Sequence, residues 1–235
     1  MSYKVTLKKA TGTPSAKKPV PVGYNAVLHI DTDPAGSQPD TAPVTSIYFP
    51  KKIKQNSKYL PGCSVADIDG QQTMPAKCLK GKVGAGTAQA LAGSPGAPAS
   101  NSVKETLLVT FVNGKSGKQV LLVLNSTPDA PVAIQNRVVP GDLSGGTGPF
   151  GYRVDFKIPP DLQEQLGLRI SLTDFKVAIT SKKIAGKKNG KAVKLGYLEL
   201  TGCGTVPIRA TAHFRDSANG DAMTDVTNDS TAKAC

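Results

Sequence analysis

The chain has 235 residues, of which 39% are hydrophobic and 5% aromatic, and it contains no tryptophan. This length suits one large β domain or two small ones, and the core must be built from aliphatic side chains because aromatic residues are scarce. The formal net charge is +12, carried mostly by lysine, since only five of the 29 basic residues are arginine. A lysine-rich surface attracts polyanions without reading base edges, so the composition argues against sequence-specific nucleic-acid recognition. No apolar run is long enough for a transmembrane helix.

The first third of the chain alternates between apolar and polar residues with period two, which predicts half-buried strands. Tyr3, Val5 and Leu7 form the first apolar set, residues 22–30 carry a second, and residues 44–49 form a third strand. Two cysteines then bracket an irregular loop with a short helical turn near residues 64–69. The strand after this loop is built from small residues on both faces, which predicts close cover by its neighbours.

The rest of the chain continues as short strands separated by turns. Asn113-Gly114 and the three residues after it lie between two apolar runs, a strong hairpin signal. A phase shift at Thr173-Asp174 predicts a β-bulge, and residues 185–191 are predicted to form a basic turn. Further strands are predicted at 132–139, 152–158, 168–179, 193–200, 206–215 and 222–228.

About a dozen strands and no long helix predict an all-β fold, with sheets packed face to face or closed on themselves. We expect an antiparallel β-sandwich of immunoglobulin-like type that forms one unit over residues 1–235. The glycine- and proline-rich residues 93–101 mark a place where the chain could divide, although they also suit a long loop. The predicted core residues are Tyr3, Val5, Leu7, Leu28, Ile30, Leu108, Leu122, Val154, Phe156, Val177, Leu198 and Phe214.

The four cysteines allow three disulfide pairings. Their spacing does not resemble a zinc knuckle, and pairing Cys63 with Cys78 and Cys203 with Cys235 closes the shorter loops. Two bridges imply an oxidising compartment. We therefore expect an exported protein, secreted or held at the cell surface, in which Met1 replaces a removed leader.

Phosphate and metal motifs are incomplete in this sequence. The glycine-rich residues 81–86 lack the following helix that a nucleotide-binding loop requires. Residues 31–36 resemble the start of a calcium loop, but alanine stands where an EF-hand places two of its ligands, so only a looser site from Asp31, Asp33 and Asp40 is conceivable. We predict no metal site and no cofactor.

Catalytic motifs are equally weak. His29 and His213 fall within predicted strands, away from any nucleophile pattern, and the cysteines are better used in bridges. Asp67 and Asp69 could form a carboxylate pair, yet a solvated turn is the expected arrangement. The sequence therefore predicts no catalytic residue and no enzymatic activity.

The candidate binding residues are lysines at a predicted hairpin tip: Lys182, Lys183, Lys187, Lys188 and Lys191. Such a tip attracts anions weakly, or only solvates the hairpin and protects its edges. The expected partner is an anionic cell-surface polymer or another surface protein.

The order of these segments resembles a group of uncharacterised secreted bacterial proteins. The matching stretches include LPGCSVAD, PAKCLKGKVGAGTAQA and LELTGCGTVPIRATAHFRD, and the similarity covers nearly the whole chain. Its most specific part is the first cysteine loop with the small-residue strand that follows it. The resemblance implies an immunoglobulin-like β-sandwich, export by a cleaved leader and two disulfides, and it implies no activity.

The function hypothesis is thus a secreted, non-enzymatic structural, adhesion or surface-binding module. The alternative is a carbohydrate-binding or glycan-active protein, which the absence of tryptophan and the small number of tyrosines disfavour, because sugar platforms rely on aromatic faces.

Overall fold

The computed structural model describes residues 1–31, 35–130 and 133–235. Most of the described residues lie in strands, and the others include one four-residue α-helix, α1 (Ala76–Leu79), and short 3₁₀ turns at Ser57–Tyr59, Val65–Asp67, Ala99–Asn101, Pro160–Leu162 and Ser217–Asn219. The strands are β1 (Ser2–Lys9), β2 (Val20–His29), β3 (Val44–Pro50), β4 (Ile53–Gln55), β5 (Lys82–Gly93), β6 (Val103–Asn113), β7 (Gln119–Ser126), β8 (Arg137–Gly145), β9 (Phe150–Lys157), β10 (Glu164–Gln165), β11 (Leu168–Ile179), β12 (Lys183–Lys188), β13 (Lys191–Gly196), β14 (Leu198–Leu200), β15 (Thr205–Asp216) and β16 (Ala222–Lys233).

Fourteen of these strands belong to one antiparallel sheet with the order β16-β15-β3-β9-β8-β7-β6-β5-β11-β2-β14-β4, where β1 also pairs with β2 and β10 with β11. The sheet is rolled up: β1, which pairs with β2 near one end of the strand order, lies close to β16 at the other end. β12 and β13 form a separate hairpin. The predicted all-β, antiparallel fold is confirmed. An immunoglobulin-like sandwich consists of two separate sheets, whereas hydrogen bonds join these strands into one continuous sheet, so this finer description stays a prediction.

The main core fills the inside of this roll with alternate residues from each strand. The predicted core residues are buried or packed against buried ones, except Leu108, for which the prediction is wrong. Leu108 is 47% exposed, and its neighbours Leu107 and Val109 face the core instead. The error arises because three apolar residues stand in a row there, so that the phase of the alternation is ambiguous.

Several local predictions are confirmed. The bulge lies between Leu172 and Asp174, and β6 and β7 form the hairpin at Asn113-Gly114. Residues 93–101, the place of a conceivable division, connect β5 to β6, which pair along most of their length.

Several predicted boundaries are wrong. The run predicted over 193–200 is divided between β13 and β14, and the last strand continues to Lys233 instead of ending at residue 228. The basic turn at 185–191 shrinks to Asn189 and Gly190, both with positive φ, because the flanking lysines pair as β12 and β13. The strand predicted over residues 132–139 is β8, which begins at Arg137, and Val132 itself lies outside the described residues.

Both predicted disulfides are present. Cys63–Cys78 is buried in a second small core formed by the disulfide loop on the outer face of β6, β7 and β8, with Ile68 and Leu121 at its centre. Cys203–Cys235 is exposed and ties the start of β15 to the residues after β16. Two bridges fit an oxidising compartment. Among the described residues, no helix has the length and apolar character needed to cross a membrane.

Candidate functional site: the basic end

Because all the sheet pairings are antiparallel, the segments that connect the strands, apart from the disulfide loop on the outer face of β6, β7 and β8, fall into two groups at opposite ends of the roll. We call one of them the basic end, defined by residues 10–19, 51–58, 114–118, 146–149 and 180–204 and the strand termini beside them. The exposed lysines at this end are Lys8, Lys9, Lys17, Lys18, Lys51, Lys52, Lys54, Lys58, Lys115, Lys118, Lys182, Lys183, Lys187, Lys188, Lys191 and Lys194. The acidic side chain in these segments is Glu199, which is buried and accepts a hydrogen bond from the backbone of Gly196.

The opposite end, called the acidic end, is defined by residues 30–31, 35–43, 94–102, 127–130, 133–136, 158–167 and 217–221. These segments contain several aspartates and Glu164 but no lysine or arginine. Arginines at neighbouring strand termini neutralise part of this charge, as Arg137 pairs with Asp161 and Arg169 with Asp221. Positive charge is therefore concentrated at one end of the roll and negative charge at the other.

The 3₁₀ turn Ser57–Tyr59 gathers lysines that are far apart in sequence. On one side, Ser57 Oγ donates a 2.6 Å hydrogen bond to the carbonyl of Gly117, and a Cβ on Gly117 would lie 2.6 Å from Lys58 Cα. On the other side, the backbone of Gly186 in β12 lies so close to the Tyr59 carbonyl that a Cβ would overlap it. Two hairpins thus pack against this turn because each has a glycine at the contact.

Asn113 fixes the same region from beneath. Its side chain is fully buried, and the two N–H groups of its Nδ2 are shared among the carbonyls of Ser57, Leu60 and Pro61, at 2.8, 3.2 and 3.0 Å. A buried side chain that satisfies the backbone of a loop holds that loop in one conformation. Asn113, which the sequence marks as part of a hairpin, therefore also positions the turn that carries Lys58.

Two ammonium groups lie on the ring of Tyr59. Lys58 Nζ is 4.8 Å and Lys188 Nζ 5.3 Å from the ring centroid. A hydrogen bond from Lys58 lowers the pKa of Tyr59, with further lowering by the charges of Lys58, Lys188 and Lys54. Lys188 also lies directly opposite Lys191 in the β12–β13 pairing, an arrangement of like charges that destabilises a hairpin unless an anion lies nearby.

A groove beside this cluster is lined by four exposed lysines, Lys51, Lys54, Lys58 and Lys118, and we call it the lysine groove. Its volume is about 670 Å³, and hydroxyl-bearing Ser144 and Thr201 also line it. Within the described residues no carboxylate lines the groove, and the lysines that form ion pairs, Lys77 and Lys157, lie elsewhere. The groove thus offers ammonium and hydroxyl donors to an anion.

The structure separates the five predicted binding lysines into two sets. Lys188 and Lys191 lie on the hairpin face that packs toward Tyr59, while Lys183 and Lys187 point to the outer face, with Lys182 just before the strand. Sequence reasoning missed Lys194, which shares the outer face, and Lys118 in the groove. The run Lys51 to Lys58 was a visible signal for the groove, whereas nothing in the sequence linked Lys118 to it.

The carboxylates of the disulfide loop are structural. Asp67 accepts hydrogen bonds from the backbone and hydroxyl of Ser64 and from Lys77, which together lower its pKa well below the usual range, with Lys77 the largest cause. Asp69 accepts from Arg137 and from the backbone of Val138. Both aspartates lie in or next to the predicted turn and are partly exposed, and both side chains also tie the loop to itself or to β8.

Within the described residues, the histidines and the remaining aspartates of the loose calcium motif form no assembled site. His29 contacts Asp174 and Asp31, and His213 contacts Asp225, each at the exposed surface. Asp40 accepts from the backbone of Ser217, and Asp33 lies outside the described residues. Within the described ranges, no group of histidine, cysteine and carboxylate side chains is arranged to hold a metal ion.

Most of the tyrosines lie inside the roll. Tyr3 and Tyr24 share a 2.6 Å hydrogen bond and Tyr197 is buried, while the partly exposed Tyr152 has a buried hydroxyl. Burial raises the pKa of all four. The remaining two are far apart in their contacts, with Tyr48 packed among Phe150 and arginines and Tyr59 among lysines.

Comparison with known proteins finds no matching family model, no matching curated protein and no matching solved structure.

Proposed function

We propose that this protein is an exported, non-enzymatic surface-binding module that holds anionic polymers at its basic end. The observation that carries the proposal is the lysine groove, which is lined by four exposed lysines and by no carboxylate among the described residues. An anionic cell-surface polymer is the expected partner. Export to an oxidising environment is proposed from the two disulfides.

The chemistry of lysine sets the kind of binding. An ammonium group is a compact, hydrated point charge, so it attracts phosphate, sulfate or carboxylate groups without imposing a two-point geometry. Separation of charge along the molecule orients it with the basic end toward a polyanion and the acidic end away from it. Binding is therefore oriented but weakly selective for polymer chemistry.

The test is the salt dependence of binding to heparin and to an anionic cell-wall polymer. The groove variant replaces Lys51, Lys54, Lys58 and Lys118 by glutamine. Since each neutralised contact releases roughly 0.7 to 0.9 of a counterion, the slope of log K against log salt should fall by about 3. The hairpin variant, with glutamine at Lys182, Lys183, Lys187, Lys188 and Lys191, should flatten the slope as well.

A matched control separates a located site from net charge. Glutamine at Lys4, Lys104, Lys157 and Lys176, which are exposed away from the basic end, removes the same charge as the groove variant. The control should retain nearly the wild-type slope. Equal losses in the groove and control variants would show that only total charge matters, and an absence of binding at low salt would leave the lysines as a solubilising surface.

The carbohydrate alternative gains no support from the tyrosines, because none of the described surfaces brings the two outer ones together. Retention that does not change with salt would revive it, since a shaped sugar site depends little on counterion release. The immunoglobulin-like sandwich and the kinship with secreted bacterial proteins likewise remain proposals.

A further inference from the structure

The interior of the rolled sheet contains a cavity that the proposed function does not use. Its volume is about 210 Å³, and its lining is almost wholly aliphatic and aromatic. One wall is the small-residue strand β5, from which Ala88, Ala90 and Ala92 face inward where larger residues would fill the space. Space of this size is enough for a single-ring molecule, since an apolar cavity of about 150 Å³ admits benzene.

One acidic side chain faces this apolar space. Glu105 of β6 lies opposite Ala90, lines the cavity and is only 8% exposed. Both of its carboxylate oxygens are buried and have no hydrogen-bond partner within the described residues. Its position follows from the alternation of β6, because Leu107 and Val109 on the same face are also buried.

An unpartnered buried carboxylate is costly, and native proteins rarely retain one without a use for it. Among the described residues that line the cavity there is no lysine, arginine or histidine to neutralise it. A metal ion does not suit the position, because hard cations need several oxygen ligands and the other lining residues are mainly apolar. The missing partner of the Glu105 carboxylate is therefore a hydrogen-bond donor on a small molecule that is otherwise apolar.

We propose that the cavity binds a small, mainly apolar primary amine, with its ammonium group on Glu105. An ammonium group has three donors and no acceptor, so it satisfies both carboxylate oxygens and cancels their charge in one contact. A neutral alcohol of the same shape leaves the charge uncompensated. The inward alanines leave room for the apolar body, and the edges of Phe111 and Phe175, whose ring centroids are 6.2 Å apart, supply aromatic contacts.

The charge distribution also suits a cationic ligand. Val103 lines the cavity, is 42% exposed and begins β6 at the acidic end, so the cavity approaches solvent there. Carboxylates in the neighbouring segments raise the local concentration of small cations. This site is independent of polymer binding, which uses the opposite end.

The experiment measures binding of benzylamine, 2-phenylethylamine and cyclohexylamine, each beside its matched alcohol, by saturation-transfer NMR and thermal shift. The wild-type protein should bind at least one amine and prefer it to its alcohol by at least tenfold. Glu105→Gln should remove that preference. Tyr152→Phe, which removes a different unpartnered hydroxyl from the same lining, should keep it.

A second variant covers the case in which Glu105→Gln does not fold. Ala90→Leu leaves the carboxylate in place but fills the space opposite it, so it should abolish amine binding. Failure of all three amines to bind the wild type, equal binding of amine and alcohol, or undiminished amine preference in either Glu105→Gln or Ala90→Leu would overturn the proposal.

Discussion

The two disulfides differ in surroundings, and this difference gives a quantitative prediction. Cys63 and Cys78 are 1% and 0% exposed and enclose 15 residues, whereas Cys203 and Cys235 are exposed and enclose 32. Loop-closure entropy alone ranks the exposed bridge higher, at about 3.7 kcal/mol against about 3 kcal/mol. Packing around the buried bridge reverses this order, so that the buried bridge contributes more to stability than the exposed one.

Replacing both members of a pair by alanine removes the bridge and the two sulfur atoms. At the buried pair, each lost sulfur leaves a gap among Ile68, Leu121 and their neighbours, at about 1 kcal/mol apiece. The total for Cys63→Ala with Cys78→Ala is thus about 5 kcal/mol. At the exposed pair no such gap forms, so the loss stays at about 3.7 kcal/mol or below.

Urea unfolding of both double variants beside the wild type measures these losses. Reduction under native conditions, followed by alkylation and mass spectrometry, should also modify Cys203 and Cys235 before Cys63 and Cys78, because a reductant reaches an exposed bridge first. A larger loss of stability in the exposed-pair variant, or earlier alkylation of the buried pair, would refute the reasoning.

Three further predictions concern the framework of the fold. Gly86→Ala should destabilise the protein by about 3 kcal/mol in urea unfolding, because its Cβ would overlap the backbone of β11, while Gly145→Ala, with nothing within 4 Å, should change stability by less than about 0.5 kcal/mol. Asn113→Ala should cost about 2 to 4 kcal/mol, since three buried loop carbonyls lose the two N–H donors that they share, and intact thermal stability would contradict this. Because the pKa of Asp67 is lower in the folded protein than in the unfolded chain, this carboxylate stabilises the fold above the unfolded pKa of about 3.9. The stabilisation is lost as the pH falls through the pKa of Asp67 in the folded protein. Lys77→Gln should therefore make the acid-induced loss of stability less steep. An unchanged pH profile in Lys77→Gln would argue against that ion pair.

Features that depend on neighbours in sequence could be predicted. Period-two alternation indicated β1 and β2, and the Asn113-Gly114 dipeptide indicated the central hairpin. Local cysteine pairing was also predictable, because short loops are easier to close. These features need no knowledge of which strands lie side by side.

Features that depend on strand order could not be predicted in the same way. Lys118 reaches the lysine groove because β6 and β7 deliver their turn to the same end as the turn at residues 57–59, and no sequence pattern records this. Glu105 looks like an ordinary polar residue near the start of a strand, because the apolar run from Leu107 to Val109 leaves the inward phase of β6 ambiguous and only the packed sheet shows which face is inward. The separation of charge between two ends likewise emerges only when all connecting segments are assigned to an end.

Lysine acetylation footprinting with and without heparin tests the central claim most directly, because it reports each ammonium group separately. The account predicts that Lys51, Lys54, Lys58 and Lys118 become protected by the polymer at low salt and recover at high salt. Lys4, Lys104 and Lys176, which are exposed on the walls of the roll, should react equally in both samples. Uniform protection of all these lysines, or protection confined to the walls, would contradict binding at the basic end.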